Sequence, residues 1–253
     1  DDDGRHIGIA QELVEPRDRT GHRADAGLQE DVIMENLSTK PLSGTELFKC
    51  FCLSIIQLIG TAAFYFFITS IALVLLYRFI PIPFTPHMIS RKIEARAAGS
   101  TLHILHQWIS LEKISPHLQR SVIEAEDAHF YQHRGFDFDA IKYAKEQNER
   151  HGMIVSGGST ISQQTAKNIF CTHARTYTRK AFEAYFTILI ELLWGKERIL
   201  EVYLNMIEMG DGVFGAEAAA QSYFHCSAEQ LNQYQAAQIA LSLPAPRLYM
   251  GKP

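Results

Sequence analysis

Residues 50–77 run for 28 positions without a charge (CFCLSIIQLIGTAAFYFFITSIALVLLY), and no other feature constrains the chain as strongly. About 20 apolar residues suffice to cross the hydrocarbon core of a bilayer as a helix, so we read one transmembrane helix over 50–77. A cleaved signal peptide would need a short basic leader, a shorter apolar stretch and a small-residue cleavage site. Here the leader is long and acidic and the exit is YRFIPIPF. A buried core helix is the other reading such a run allows.

The run divides the chain into unlike parts. Residues 1–49 hold 6 Lys or Arg against 11 Asp or Glu, whereas residues 78–253 hold 18 against 17. The first part is polar and without sustained periodicity, as expected of a tail with no packed core of its own. Residues 78–94 contain PIPFTP, a stiff linker that stops immediate helix continuation, and residues 95–253 are long enough for one sizeable domain. With 47% hydrophobic and 21% charged residues, wholesale disorder and a polytopic membrane protein are excluded. A formal net charge of -4 gives no support to a nucleic-acid binder. Four cysteines without a CxxC pair support neither a disulfide scaffold nor structural zinc. Cys50 and Cys52 at the membrane edge read as lipidation sites or as apolar filler. Lys40 and Lys49 precede the span and Arg78, Arg91, Lys92 and Arg96 follow it, a count that alone puts the C-terminal side in the cytoplasm; long domains, however, translocate largely regardless of it. Helical spacing over 101–125, 160–170, 179–194, 196–209 and 213–224, with few alternating runs, predicts a mainly α-helical domain.

Three segments carry chemistry. In EAEDAHFYQHRGFDFDAI, Glu124, Glu126, Asp127, Asp137 and Asp139 lie among Phe130, Tyr131, Phe136 and Phe138. A carboxylate beside apolar rings suits proton transfer; solvated acids at a helix end are the alternative. His129 and His133 at i, i+4, with Glu126 a turn earlier, have a metal-ligand spacing but lack the HExxH order, and a structural hydrogen bond competes. GGSTISQQTAKNIF offers Ser159 or Thr160 as a helix cap. The free N–H groups of such a helix start suit a phosphate, and Gln164, Lys167 and Asn168 share one face. An ordinary capped amphipathic helix reads equally well, and GxxxxGK[ST] is absent. In RTYTRKAFEAYFTILIELLWGKERILEVYLN, Arg175, Arg179 and Lys180 precede Glu183; Arg179 and Glu183 at i, i+4 are also the spacing of a surface pair. Asn205, if buried, needs partners and reads as a brace.

Glu126 and Glu183 are thus two candidate acids 57 positions apart, with phosphate-type donors between them. Paired carboxylates alone suggest glycoside hydrolysis. The Lys and Arg clusters add stabilisation of an anionic leaving group, and the combination points to sugar transfer from a phosphorylated donor.

EDAHFYQHRGFD, GGSTISQQTAKN, RKAFE, KERILEVYLN and GDGVFGAEAAAQSYF, in this order, resemble the five motifs of the peptidoglycan glycosyltransferases, glycosyltransferase family 51, over about residues 95–250. With one span and no room for a transpeptidase domain, the chain most resembles the monofunctional members. The resemblance implies a lysozyme-like, mainly helical fold with two lobes, tethered by the N-terminal transmembrane helix and acting on lipid II and the lipid-linked growing glycan strand. It places the chain in the bacterial cytoplasmic membrane, with residues 1–49 inside and 78 onward outside, and it implies the membrane and other wall-synthesis proteins as partners. It assigns Glu126 as the general base and Glu183 as the second glutamate, at the departing pyrophosphate or its bound cation. Ser159, Gln164, Lys167 and Arg175 match donor-site positions, Arg179 and Lys180 belong to the third motif, Asp127 and His133 support the first, and Asn205 is architecture. A divalent cation, Mg or Mn, is compatible with a pyrophosphate leaving group.

The sequence departs from the family in two places. Seventeen residues after Glu126, where some members place a basic residue, stands Tyr143, flanked by Lys142 and with Lys145 nearby. The chain also stops at LPAPRLYMGKP, where relatives continue with a helical segment, and starts without Met, as expected of a fragment. A lysozyme-like enzyme that cleaves glycan, and an inactive scaffold that binds lipid II, are the competing functional readings.

Overall fold

The computed structural model describes residues 43–153, 157–172 and 176–250. Helix α1 (Gly44–Tyr77) covers the uncharged run and one turn and a half before it. By length and composition it is a candidate membrane span, with a mean hydropathy of 2.2 in its apolar window. The chain divides into two compact units, residues 1–64 and 65–253. The first contains the N-terminal part of α1. The rest of α1 begins the second.

Within the second unit, the end of α1 is fastened to the domain by specific bonds. Ser70 shares a 2.7 Å hydrogen bond with the Tyr185 hydroxyl, and the Trp194 indole N–H donates to the Val74 carbonyl at 2.8 Å. The Arg198 guanidinium donates to the carbonyls of Tyr77 at 2.7 Å and Ile80 at 2.6 Å. Tyr77 ends α1, and its carbonyl is one that a helix end leaves without an intrahelical partner. Residues 80–85 then run without helix as far as Thr85, whose side chain caps α2 (Pro86–Ala97) with Pro86 in the first turn. Arg91 of α2 is buried and reaches Glu208 at 2.9 Å and Asp211 at 2.6 Å.

The domain is mainly helical, as its sequence predicts, but three predicted helical stretches are shortened. Residues 101–115 are not α-helical: they contain strand β1 (Leu105–His106) and a 3-10 turn (Leu111–Lys113). Helix α3 (Pro116–Glu126) starts only at Pro116, where the missing N–H costs nothing. The predicted 196–209 helix ends at Met206 as α7 (Lys196–Met206), and 213–224 is helical only from α8 (Ala216–Phe224). Between them β2 (Glu208–Gly210) and β3 (Val213–Phe214) form a small sheet with β1, in the order β1-β3-β2. β1 runs parallel to β3 with Leu105 opposite Val213, and β2 runs antiparallel with an irregularity between Glu208 and Gly210.

The core lies around α5 (Ile161–Phe170), which packs against α6 (Tyr177–Leu193) and α7. Helix α9 (Gln233–Ser242) packs against α3. The fully buried side chains Leu118, Ile161, Ile190, Ile199, Leu200, Tyr203 and Phe214 belong to one cluster. Asn205, at 0% exposure, is the brace its sequence context predicts. Its side chain accepts the Ile109 N–H and donates to the Ile109 carbonyl, both at 2.9 Å, and donates to the Glu201 carbonyl at 2.8 Å. It thereby holds the non-helical 101–115 segment against α7. Orphaning buried backbone groups costs about 1–3 kcal/mol each. Asn205→Ala is therefore expected to lower stability by roughly 2–4 kcal/mol and Tm by about 5–15 °C in calorimetry. Cys50, Cys52, Cys171 and Cys226 are free thiols.

Candidate active site

Glu126 is the last residue of α3, and the helix stops there because Asp127 is pulled out of helical geometry (φ -163, ψ 72). One Asp127 oxygen accepts from His133 Nε2 at 2.8 Å. The other accepts the Ile161 N–H at 3.0 Å, a donor at the start of α5 with no intrahelical partner. A carboxylate at that end is also favoured by the helix dipole. The Gly135 N–H donates to His133 Nδ1 at 3.1 Å, so the imidazole proton sits on Nε2, facing Asp127. Gly135 itself has φ +90, and a Cβ there would lie 2.8 Å from Thr187 Cγ2; only glycine fits.

The i, i+4 helical pairing of His129 and His133 is not realised, because residues 127–137 form turns rather than helix. His129 instead shares a 2.9 Å hydrogen bond with Asp137, the N-cap of α4 (Phe138–His151). Helix capping by the Ala140 N–H, with His129 second, holds the Asp137 carboxyl below the usual range.

Of the two cap candidates before α5, Thr160 is the cap: it accepts from the Gln163 N–H and forms a capping box with the Gln163 side chain. Its hydroxyl also donates to the Gly135 carbonyl at 2.7 Å. Ser159 is left exposed. Gly158 lies so close to α4 that a Cβ would be 2.9 Å from Ile141 Cα; a larger residue would push this loop off the helix.

Capping sets the rotation of α5 so that Gln164, Lys167 and Asn168 line one cavity of about 740 Å³ together with Glu126, His87 and Arg247. Glu126 also borders a second cleft of about 520 Å³, which includes Ser159, Asp137 and Tyr143. The proposed base thus sits between two cavities. One of its oxygens, Oε2, accepts from Gln164 Nε2 at 2.6 Å; among the described residues Oε1 has no hydrogen-bond partner. Ser159 and Lys180 meet in a neighbouring groove of about 720 Å³. Tyr143, the departure from the family's basic residue, is exposed on the wall of the Glu126 cleft.

Glu183, on α6, is 2% exposed rather than part of a surface pair. Arg179 and Lys180 donate to its two oxygens, and Thr176 caps this helix at the Arg179 N–H. Arg175 lies outside the described residues. Among the described residues no three His, Cys, Asp or Glu side chains converge as a metal site, and both Glu183 oxygens face cations.

Lys167 lies in the field of both glutamates. Burial lowers its pKa most; Arg179 and Lys180 add to the lowering, and Glu183 and Glu126 oppose it. Its charge is therefore present at low pH and lost, as pH rises, below the ordinary lysine value of about 10.4. If that charge serves the reaction, kcat/KM falls on the alkaline side through this titration. Lys167→Arg, whose charge persists above pH 12, is expected to move that limb to higher pH in a pH-rate profile.

Sequence reasoning did not find Tyr203 or the Glu191 network. The Glu191 carboxylate accepts from Ser162 and from Lys196 at 2.7 Å, and the Lys196 ammonium lies 4.5 Å from the centre of the Phe130 ring. Both look like core packing in a sequence, because periodicity assigns a face and not a hydrogen bond.

A model of the transglycosylase family matches residues 96–252, which contain all of these side chains except His87. The chain belongs to the transglycosylase family. It is 52% identical over 188 residues to a biosynthetic peptidoglycan transglycosylase of Bdellovibrio bacteriovorus, covering 74% of this chain and 75% of the relative. A protein of the same name from Caulobacter vibrioides is 56% identical over 173 residues, 68% of this chain and 72% of the relative. One from Haemophilus influenzae is 48% identical over 192 residues, with 75% and 78% covered. The aligned stretches are long enough to take in most of the transglycosylase domain, so family membership rests on more than the five short motifs.

Proposed function

We propose that this transglycosylase polymerises lipid II into β-1,4-linked glycan strands, releasing polyprenyl pyrophosphate, with Glu126 as general base. The observation that carries this reading is the Glu126 carboxylate between two cavities, one oxygen held by Gln164 and the other open. In the reaction, Glu126 Oε1 takes the proton of the acceptor's GlcNAc 4-hydroxyl. That oxygen attacks the anomeric carbon of the donor's MurNAc from the face opposite the pyrophosphate, and the bond from that carbon to the pyrophosphate oxygen breaks with inversion. Lys167, Arg179 and Lys180 lie in one charged neighbourhood with Glu183 and offset the charge that develops on the leaving group, which a low-dielectric site makes effective. Ser159 and Gln164 orient the donor, and Arg175 is assigned with them.

We place the enzyme in the bacterial cytoplasmic membrane with α1 as its anchor, residues 1–49 inside and the catalytic domain outside, beside other wall-synthesis proteins. A hydrolase would have no task for the three cations. The test is incubation of the detergent-solubilised chain with labelled lipid II and, separately, with preformed glycan. Polymer from the first and no shortening of the second is the expected outcome; shortening of glycan without polymer would assign cleavage, and binding of lipid II without either would assign a scaffold.

A further inference from the structure

We propose that Tyr203 is a positioning residue for the transfer reaction: its buried hydroxyl holds the Gln164 amide, and the amide in turn holds Glu126 between the two cavities. The inference rests on Glu126 being the base. Tyr203 is on α7 and 1% exposed. Its hydroxyl is 3.3 Å from Gln164 Oε1, and Gln164 Nε2 is 2.6 Å from Glu126 Oε2.

The direction of this chain of bonds follows from what each group can do. An ionised carboxylate only accepts, so Gln164 must turn its NH2 toward Glu126. The amide oxygen then faces Tyr203 and needs a donor. Tyr203 remains one, because burial first, and then the Glu126 and Asp127 charges, hold its pKa well above the usual tyrosine value.

The anchor matters because of where each residue sits. Gln164 is half-buried on a cavity wall and, left alone, its long side chain can rotate or present its oxygen to Glu126, which would repel the carboxylate. Tyr203 belongs to the packed core, on the same helix that Asn205 and Arg198 tie to the 101–115 segment and to the end of α1. The hydroxyl therefore transmits the rigidity of the core to the base. Misplacing a reacting group by about 1 Å can cost up to about 10²-fold in rate, while Lys167, Arg179 and Lys180 are untouched.

The experiment is a double-mutant cycle on lipid II polymerisation by the full chain, with Tyr203→Phe, Gln164→Ala and both together, and with melting curves for each. Tyr203→Phe is expected to lower kcat about 10-fold and leave KM within about twofold, and to change kcat by less than about twofold when added to Gln164→Ala. A wild-type kcat in Tyr203→Phe, or a loss that multiplies onto that of Gln164→Ala, would overturn the inference, since a tyrosine acting through packing alone is independent of the amide. If Tyr203→Phe melts early, kcat is read below its melting transition: a fall there that disappears on the Gln164→Ala background supports the tether, and an equal fall on both backgrounds overturns it. No polymer from the wild type, or full activity in Glu126→Gln, would overturn the functional reading and this inference with it; an active wild type with an indifferent Tyr203→Phe overturns the inference alone.

Discussion

Glu126→Gln is expected to lower kcat for glycan polymerisation by about 10²–10⁴-fold, the range contributed by a positioned proton-transfer group, with KM nearly unchanged. The amide has the size of the carboxylate but cannot take the acceptor's proton. The fold should not suffer, because what ends α3 and starts α5 is Asp127, through its bonds to His133 and the Ile161 N–H, and not its neighbour. Melting curves and lipid II binding in parallel separate chemistry from folding. A variant that folds, binds and still polymerises within about tenfold of wild type would remove Glu126 from the role of base.

Glu183→Gln is expected to damage both activity and stability. The side chain is buried and its oxygens face Arg179 and Lys180, so neutralising it leaves two cations, with Lys167 close by, facing one another. Removing one partner of a buried pair costs about 3–5 kcal/mol. Lys180 is 48% and Arg179 20% exposed in their side chains, so water screens part of the repulsion and roughly 1–3 kcal/mol is the expected loss, about 2–10 °C in Tm. Polymerisation should fall by about 10²-fold, on the scale of losing one preorganised charge-stabilising group. Glu183 also raises the Lys167 pKa, so in this variant the alkaline limb of the pH-rate profile should move to lower pH. Glu183→Asp, which keeps the charge, should recover part of both losses. A lower Tm with full activity in the folded fraction would make Glu183 a structural residue only.

How far the sequence was legible depended on whether an element is held locally or by distant partners. Helices α5 and α6 follow from spacing plus capping residues within a few positions, Thr160 with Gln163 and Thr176 with the Arg179 N–H. The 101–115 segment also has helical spacing, yet Leu105 and His106 pair with Val213 and Phe214, and Ile109 is held by Asn205; these partners lie about a hundred positions away and leave no local mark. The same holds for Val213 and Phe214, which pair with β1, whereas β2 pairs with β3 only a few positions away. His129 and His133 match a helix only if the helix continues past Glu126, and Asp127 stops it. In the site, residue types and order named the glutamates and the cations as candidates, whereas the burial of Glu183 and the Tyr203 to Gln164 bond required the fold.

The most direct test of the central claim is to follow purified wild type and Glu126→Gln on lipid II, measuring the anomeric configuration of each new glycosidic bond by NMR and the polyprenyl pyrophosphate released. The account requires β linkages, one pyrophosphate per bond, and loss of both signals in Glu126→Gln. Linkages of retained configuration, bonds formed without pyrophosphate release, or undiminished turnover in the variant would contradict it.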